Sequence, residues 1–195
     1  FIPGKSIVTN ACHHIGRAYV LSVDIKNFFP STTTDKLVKI IDRFYPNQKN
    51  NIPYLVYKNH IPQGAPTSPY LANFALYDFD EKLSRYLEEF NASYTRYADD
   101  ITVSFDSAPI KDILKFINQN LNQQNYFLSF KKTHLAHKSK RQQVTGIVVN
   151  EKLNIPYKIR NSLRAYNHLI TTNNFNKEEI PWVMGLNGYQ EMTRK

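Results

Sequence analysis

Apolar positions along the chain alternate between a period of two and a period of three to four, and that rhythm predicts an order of elements. Residues 18–25, Ala-Tyr-Val-Leu-Ser-Val-Asp-Ile, are rich in β-branched and aromatic side chains and predict a strand that ends on Asp24. A turn at Pro30-Ser31-Thr32 follows, and Thr32 and Asp35 stand at capping-box spacing. Leu37, Ile40, Ile41 and Phe44 then share one helical face. Residues 47–51 are a polar loop. Residues 61–69 carry three prolines and a glycine, which forbids regular structure. Ser68 as N-cap with Pro69 at the first position opens a helix. Leu76, Phe79, Leu83, Tyr86, Leu87 and Phe90 extend it as one long amphipathic segment.

Two β-rich runs, 94–97 and 101–105, flank Ala98-Asp99-Asp100 and predict a hairpin with carboxylates at its tip. Ile110, Ile113, Leu114, Ile117 and Leu121 mark another helix, and 126–130 and 144–149 read as strands. The order β-α-α-β-β-α-β-β predicts an α+β fold, a ferredoxin-like antiparallel sheet backed by helices. The pattern changes after Asn150, with a basic helix over 160–171 and a weaker helical segment over 180–195. A domain boundary is therefore expected near residue 155.

Composition narrows the classes. The 195 residues suffice for one domain, or one with a fragment of a second. No apolar run approaches the roughly 20 residues of a membrane span, and no basic-then-apolar leader opens the chain. Cys12 is the single cysteine, so an internal disulfide framework and multi-cysteine zinc sites are excluded. This fits a reducing cytoplasm. The net charge of +9 suits a polyanionic partner, through counterion release, as well as it suits plain solubility. The chain starts at Phe1-Ile2-Pro3-Gly4 without an initiator Met, which suggests a piece of a longer protein.

Asp24 at a strand end and Asp99-Asp100 in a hairpin turn could bring three carboxylates within a few ångströms. Alone they repel one another and hold protons. Mg²⁺ relieves that, because hard cations take oxygen ligands and share them with substrate phosphates. Two ions about 4 Å apart can stabilise the attacking and leaving oxygens of an in-line phosphoryl displacement. An isolated Asp-Asp turn is most often structural, since Asp tolerates turn geometry. The order in which a strand-end Asp, a Gln-Gly loop and a Tyr-Ala-Asp-Asp hairpin appear is what favours chemistry here.

Asp24-Ile25-Lys26-Asn27-Phe28-Phe29, then Pro62-Gln63-Gly64-Ala65-Pro66-Thr67-Ser68-Pro69, Tyr97-Ala98-Asp99-Asp100 and Lys132-Thr133 together resemble the palm of a reverse transcriptase. The resemblance covers roughly residues 1–150. Asn10-Ala11-Cys12-His13-His14 and Val144-Thr145-Gly146 resemble elements of bacterial retron reverse transcriptases. It implies a palm over 1–155, with a remnant of fingers at its start, and the beginning of a helical thumb over 156–195. Also implied is an RNA-directed DNA polymerase, a nucleotidyltransferase that uses two Mg²⁺ ions (Mn²⁺ can substitute), dNTPs, and an RNA template and primer. A structured noncoding RNA and an effector protein are partners of that kind, with a role in antiviral defence; no membrane is involved.

By the same resemblance, Asp24 and Asp99 are the main metal ligands, Asp100 lies next to the metals or the primer end, and Ile25 offers its carbonyl. Asn27 and Phe28 offer backbone N–H groups to the triphosphate. Phe29 stands where an aromatic ring crowds the sugar 2′-position; without the motif it reads as a core Phe. Gln63 contacts the incoming nucleotide, and Gly64 lets the backbone approach it; a tight structural turn is the alternative. Tyr97 lies under the primer terminus or packs in the hairpin. Lys132 is a candidate general acid toward pyrophosphate, or one more exposed lysine of a basic strand. His14 holds a local turn or, with Asn10, Val144, Thr145 and Gly146, contacts RNA. Lys158, Arg160 and Arg164 face phosphates or form a solvated helix face. Competing readings are another bacterial enzyme of this kind (group II intron-like, or an abortive-infection type making untemplated DNA) and a non-catalytic RNA-binding relic. With fingers nearly absent and the thumb stopping at Lys195, the fragment alone is expected to extend primers weakly or not at all.

Overall fold

A computed structural model describes residues 4–172 and 180–193. The first three residues and the last two, which belong to the expected fragment ends, lie outside the described residues. A short helix opens the chain, α1 (Ile7–Cys12), missed by the apolar pattern because six residues carry no full stripe. Its signal is a Ser-x-x-Thr box: the Thr9 amide donates to Ser6 Oγ at 3.2 Å, and the Ser6 amide donates to Thr9 Oγ1 at 2.7 Å.

Strand β1 (Tyr19–Asp24) leads into a four-residue helix, α2 (Phe28–Ser31), where a turn was expected. Thr32 does not cap the next helix. It is fully buried at the end of α2, its hydroxyl donating to the Phe28 carbonyl at 2.9 Å and meeting the Tyr126 hydroxyl at 3.0 Å. Helix α3 (Thr34–Phe44) therefore starts one residue later, with Thr33 at its N-cap. The polar loop after it tightens into a 3-10 segment, Lys49–Leu55.

The long amphipathic segment is two helices, α4 (Ser68–Ala75) and α5 (Tyr77–Glu88), with Thr67 rather than Ser68 at the N-cap. No glycine or proline marks the break. It falls at Leu76, which has no exposed surface and sits in the core between the two helices' buried faces.

The hairpin forms as read, β2 (Ser93–Tyr97) and β3 (Asp100–Phe105), followed by α6 (Ile110–Gln123). The next strand does not fall at 126–130. Tyr126 is buried against Phe28, only Leu128 bridges Ile25, and Phe130–Lys132 is a 3-10 turn. The fourth strand is β4 (His134–His137).

The sheet order is β2-β3-β1-β4 with each pair antiparallel, a ferredoxin-like arrangement. Leu21, Val23, Ile101, Val103 and Phe105 of the sheet bury one face against Leu37, Ile41, Phe79, Leu83, Ile113 and Ile117 of α3, α5 and α6. Asp24 and the turn after Tyr97 are thereby held at one end of a rigid layer.

Residues 144–149 are not one strand but a small hairpin, β5 (Gln143–Val144) and β6 (Ile147–Val148). Its two turn residues, Thr145 (φ +45°) and Gly146 (φ +86°), both have positive φ, as a tight two-residue hairpin demands. Beyond it lie α7 (Tyr157–Thr171) and α8 (Ile180–Met192), which share a small core of Ile155, Leu163 and Val183. The described residues contain no helix long and apolar enough to cross a membrane.

Candidate active site

The pairing register places Asp24 directly opposite Asp100 across β1 and β3. Asp99 lies in the turn between β2 and β3, where its carbonyl accepts a hydrogen bond from the Ile25 amide at 3.1 Å. Three carboxylates from distant parts of the sequence thus gather at one sheet end. Their mutual influence is visible in Asp100, whose carboxyl is raised above the usual range by partial desolvation and then by the charges of Asp99 and Asp24; Lys132 opposes the shift.

Asp24 is 8% exposed, and its Oδ2 accepts a hydrogen bond from Lys132 Nζ at 2.8 Å. That contact raises the Lys132 ammonium above its ordinary value. Among the described residues, no three His, Cys, Asp or Glu side chains already converge at metal-ligand spacing. The donor chemistry nevertheless fits a hard divalent cation. The side chains at this sheet end offer only carboxylate oxygens, which repel one another, and a surface ammonium is their nearby compensation.

Around the carboxylates the backbone is shaped by Asn27, which has a left-handed conformation (φ +49°) and starts α2 with an exposed side chain. Phe28 is buried and Phe29 half-buried, their rings edge to face at 5.6 Å. Ile25 is buried, with its amide used by Asp99. In the loop before α4, Gln63 and Gly64 are exposed. Gly64 has φ +88°, a conformation that penalises any side chain, and the space beside its Cα is open. Tyr97 pairs with Asp100 in the hairpin and lines a pocket with Asn10, His13 and Tyr70.

Several side chains assigned to RNA contact are instead spent inside the protein. His14 has no exposed surface; Nδ1 lies 2.7 Å from Ser104 Oγ and Nε2 lies 2.7 Å from Thr95 Oγ1. Val144 is buried in a cluster with Ala11, Val20, Ile147 and Val149. Thr145 donates to the Ile7 carbonyl at 3.1 Å and accepts from Asn10 Nδ2 at 3.5 Å. The Gly146 carbonyl accepts from Tyr189 Oη at 2.8 Å. The two short strings far apart in sequence therefore lock together, fastening α1 and α8 to the β5–β6 hairpin. Lys158 and Arg164 are exposed on α7, whereas Arg160 is half-buried, its guanidinium 5.8 Å from the Tyr157 ring.

Burial pushes the His14 imidazole down to about 4, helped by the positive charges of His13 and Arg17. Above pH 6.5 the ring is neutral whether folded or not and costs nothing. As pH falls from 6.5 toward 4 the unfolded chain binds a proton that the native ring refuses, and stability declines, by a ceiling of about 3 kcal/mol. Urea unfolding at pH 7 and pH 4.5 should show this loss in the wild type and a smaller one in His14→Gln. Equal losses would remove His14 as the cause.

Residues 1–149 match the family described as reverse transcriptase (RNA-dependent DNA polymerase). The chain belongs to that family. It is 33% identical over 190 residues to the retron Mx65 reverse transcriptase of Myxococcus xanthus, covering 86% of this chain and 44% of that protein. To the retron Ec86 reverse transcriptase of Escherichia coli it is 34% identical over 173 residues, covering 85% and 53%. The chain spans about half the length of these curated relatives. Among solved structures, the telomerase of Candida albicans in complex with a fragment of telomeric RNA superposes with a TM-score of 0.58 at 13% identity, covering 74% of this chain and 31% of that one. Apo telomerase of Candida tropicalis, truncated of its C-terminal domain, gives 0.56 at 15% identity, covering 77% and 39%. Those likenesses concern the fold, a polymerase palm.

The sequence reading of the site missed Arg96 and Asp80. An Arg just before the Tyr-Ala-Asp-Asp string, in a strand whose other residues are uncharged, was the available signal.

Proposed function

We propose that residues 1–155 are the palm of an RNA-directed DNA polymerase of retron type, and that 156–195 begin its thumb. The observation that carries this is the register of Asp24 against Asp100, with Asp99 beside Asp100 in the turn that joins β2 to β3. Asp24, Asp99 and Asp100, with the Ile25 carbonyl, would hold two divalent cations, Mg²⁺ or Mn²⁺. When bound, such ions polarise the attacking hydroxyl and neutralise charge on the transferring phosphoryl group.

The chain's own residues do the rest. Asn27 and Phe28 present backbone N–H groups to the triphosphate from the start of α2, and Gln63 and Gly64 approach the nucleotide from the facing loop. Lys132 Nζ, next to Asp24, carries the proton available to the departing pyrophosphate, and Tyr97 supports the primer end. Retron type is supported by the two relatives above and by the Asn10–Thr145 contact, which joins the two retron-like strings into one scaffold. A structured RNA serving as template and primer then meets Lys158 and Arg164 on α7, both exposed.

Phe29 selects the sugar by standing where a 2′-hydroxyl would fall. In the protein that carries this chain, Phe29→Val should raise ribonucleotide incorporation relative to deoxynucleotide by roughly tenfold or more. Single-nucleotide extension with each substrate measures the ratio. An unchanged ratio in a folded variant would leave Phe29 as a packing residue against Phe28.

A further inference from the structure

The turn that carries Asp99 is held in an unfavourable shape by a buried guanidinium. Ala98 has φ +54°, a left-handed conformation that residues other than glycine resist, and it is 7% exposed. Its carbonyl accepts a hydrogen bond from Arg96 Nη1 at 2.9 Å. The Arg96 side chain is 5% exposed, and Asp80 on α5 takes its fork from both sides: Nε meets Oδ1 at 2.8 Å and Nη2 meets Oδ2. Nη2 also reaches the Asn73 carbonyl at 3.5 Å, and the Tyr94 hydroxyl donates to Asp80 Oδ1. The planar five-donor fork thus ties α5 and the end of α4 to the peptide immediately before Asp99. Lysine, with one ammonium, could not span these acceptors. On the far side of the turn the Ile25 amide holds the Asp99 carbonyl.

We propose that Arg96, oriented by Asp80, is a positioning residue that fixes Ala98 in its left-handed conformation and so sets the geometry of the Asp99–Asp100 cation site. The proposal rests on the polymerase reading for the cation site and on the hydrogen bonds alone for the turn. Its particular consequence is a rescue. Glycine adopts positive φ without strain, so Ala98→Gly should make Arg96 partly dispensable.

The test compares wild type, Arg96→Met, Arg96→Lys, and Arg96→Met with Ala98→Gly, all in the full protein that carries this chain. Mn²⁺ binding is followed by electron paramagnetic resonance without nucleic acid, and amide hydrogen exchange is followed at 98–100. Arg96→Met should weaken Mn²⁺ binding by at least about tenfold, as loss of a ligand-orienting contact does, and should speed exchange in the turn. Arg96→Lys should lie between the two, and Ala98→Gly should recover part of both losses. Where Arg96→Met does not fold, Arg96→Lys and its Ala98→Gly partner carry the comparison. Wild-type exchange and wild-type Mn²⁺ affinity in a folded Arg96 variant, or no recovery with glycine, would overturn the proposal. Absence of saturable Mn²⁺ binding in the wild type would instead overturn the polymerase reading, and the exchange data would still decide the role of Arg96 in the turn.

Discussion

Asp24→Asn and Asp99→Asn should each lower DNA synthesis by roughly a thousandfold or more, about 4 kcal/mol of barrier, while leaving the fold intact. Asparagine matches aspartate in size but trades a charged oxygen for an N–H donor, which a hard cation does not bind. The fold should tolerate the change because the carboxylates are in tension rather than in support of one another: Asp100 is raised by partial desolvation and by the charges of Asp99 and Asp24. In Asp24→Asn the side-chain amide would keep a carbonyl oxygen for the Lys132 ammonium. Thermal melting should therefore shift little, or upward, in the absence of divalent ions. Primer extension alongside melting curves checks both halves. A variant that keeps activity, or loses it only by unfolding, contradicts the assignment.

Asp80→Ala should have the largest effect on stability among substitutions close to the site. It strips the fork partner from Arg96, whose side chain is 5% exposed and would be left charged against carbonyls alone. Breaking a buried pair from one side costs roughly 3–5 kcal/mol. Asp80 itself is 30% exposed, so water can enter and the lower figure, about 3 kcal/mol, is expected. For a chain of this size that is a fall in Tm of roughly 6–12 °C. Adding Arg96→Met to Asp80→Ala should recover part of the loss, because the orphaned charge is gone. A fall of less than about 1 kcal/mol for Asp80→Ala in urea unfolding would show that the guanidinium finds other partners.

The parts of the fold that the sequence made legible are those where local pattern and tertiary structure agree. Strand β1, the hairpin and α6 have clean apolar periods and turn chemistry, and they carry the sheet's centre. The carboxylates were legible for the same reason, since strand ends and a two-residue turn fix their place. What was missed depends on contacts remote in sequence. Tyr126 and Leu128 alternate as strand residues do, yet Tyr126 is drawn into the core beneath Lys36, whose Nζ sits 3.5 Å from the ring centroid. The true edge strand, His-Leu-Ala-His at 134–137, has no β-branched residue to announce it and exists because β1 offers a free edge.

The site shows the same division. Asn10, His14 and Thr145 carry polar groups that suggested a ligand, but their partners are Thr145, Ser104, Thr95 and Ile7, brought near only by folding. Arg96 is the opposite case. An arginine beside the Tyr-Ala-Asp-Asp string invites a phosphate, and the structure spends it on Asp80 and a carbonyl.

The most direct test of the polymerase assignment is extension of a primer on an RNA template of defined sequence by the full protein that carries this chain, with Mg²⁺ and dNTPs, the product being sequenced. DNA complementary to the RNA is expected, abolished by Asp99→Asn. Product that does not follow the template, product that survives Asp99→Asn, or no product from a folded protein with its own RNA would contradict it.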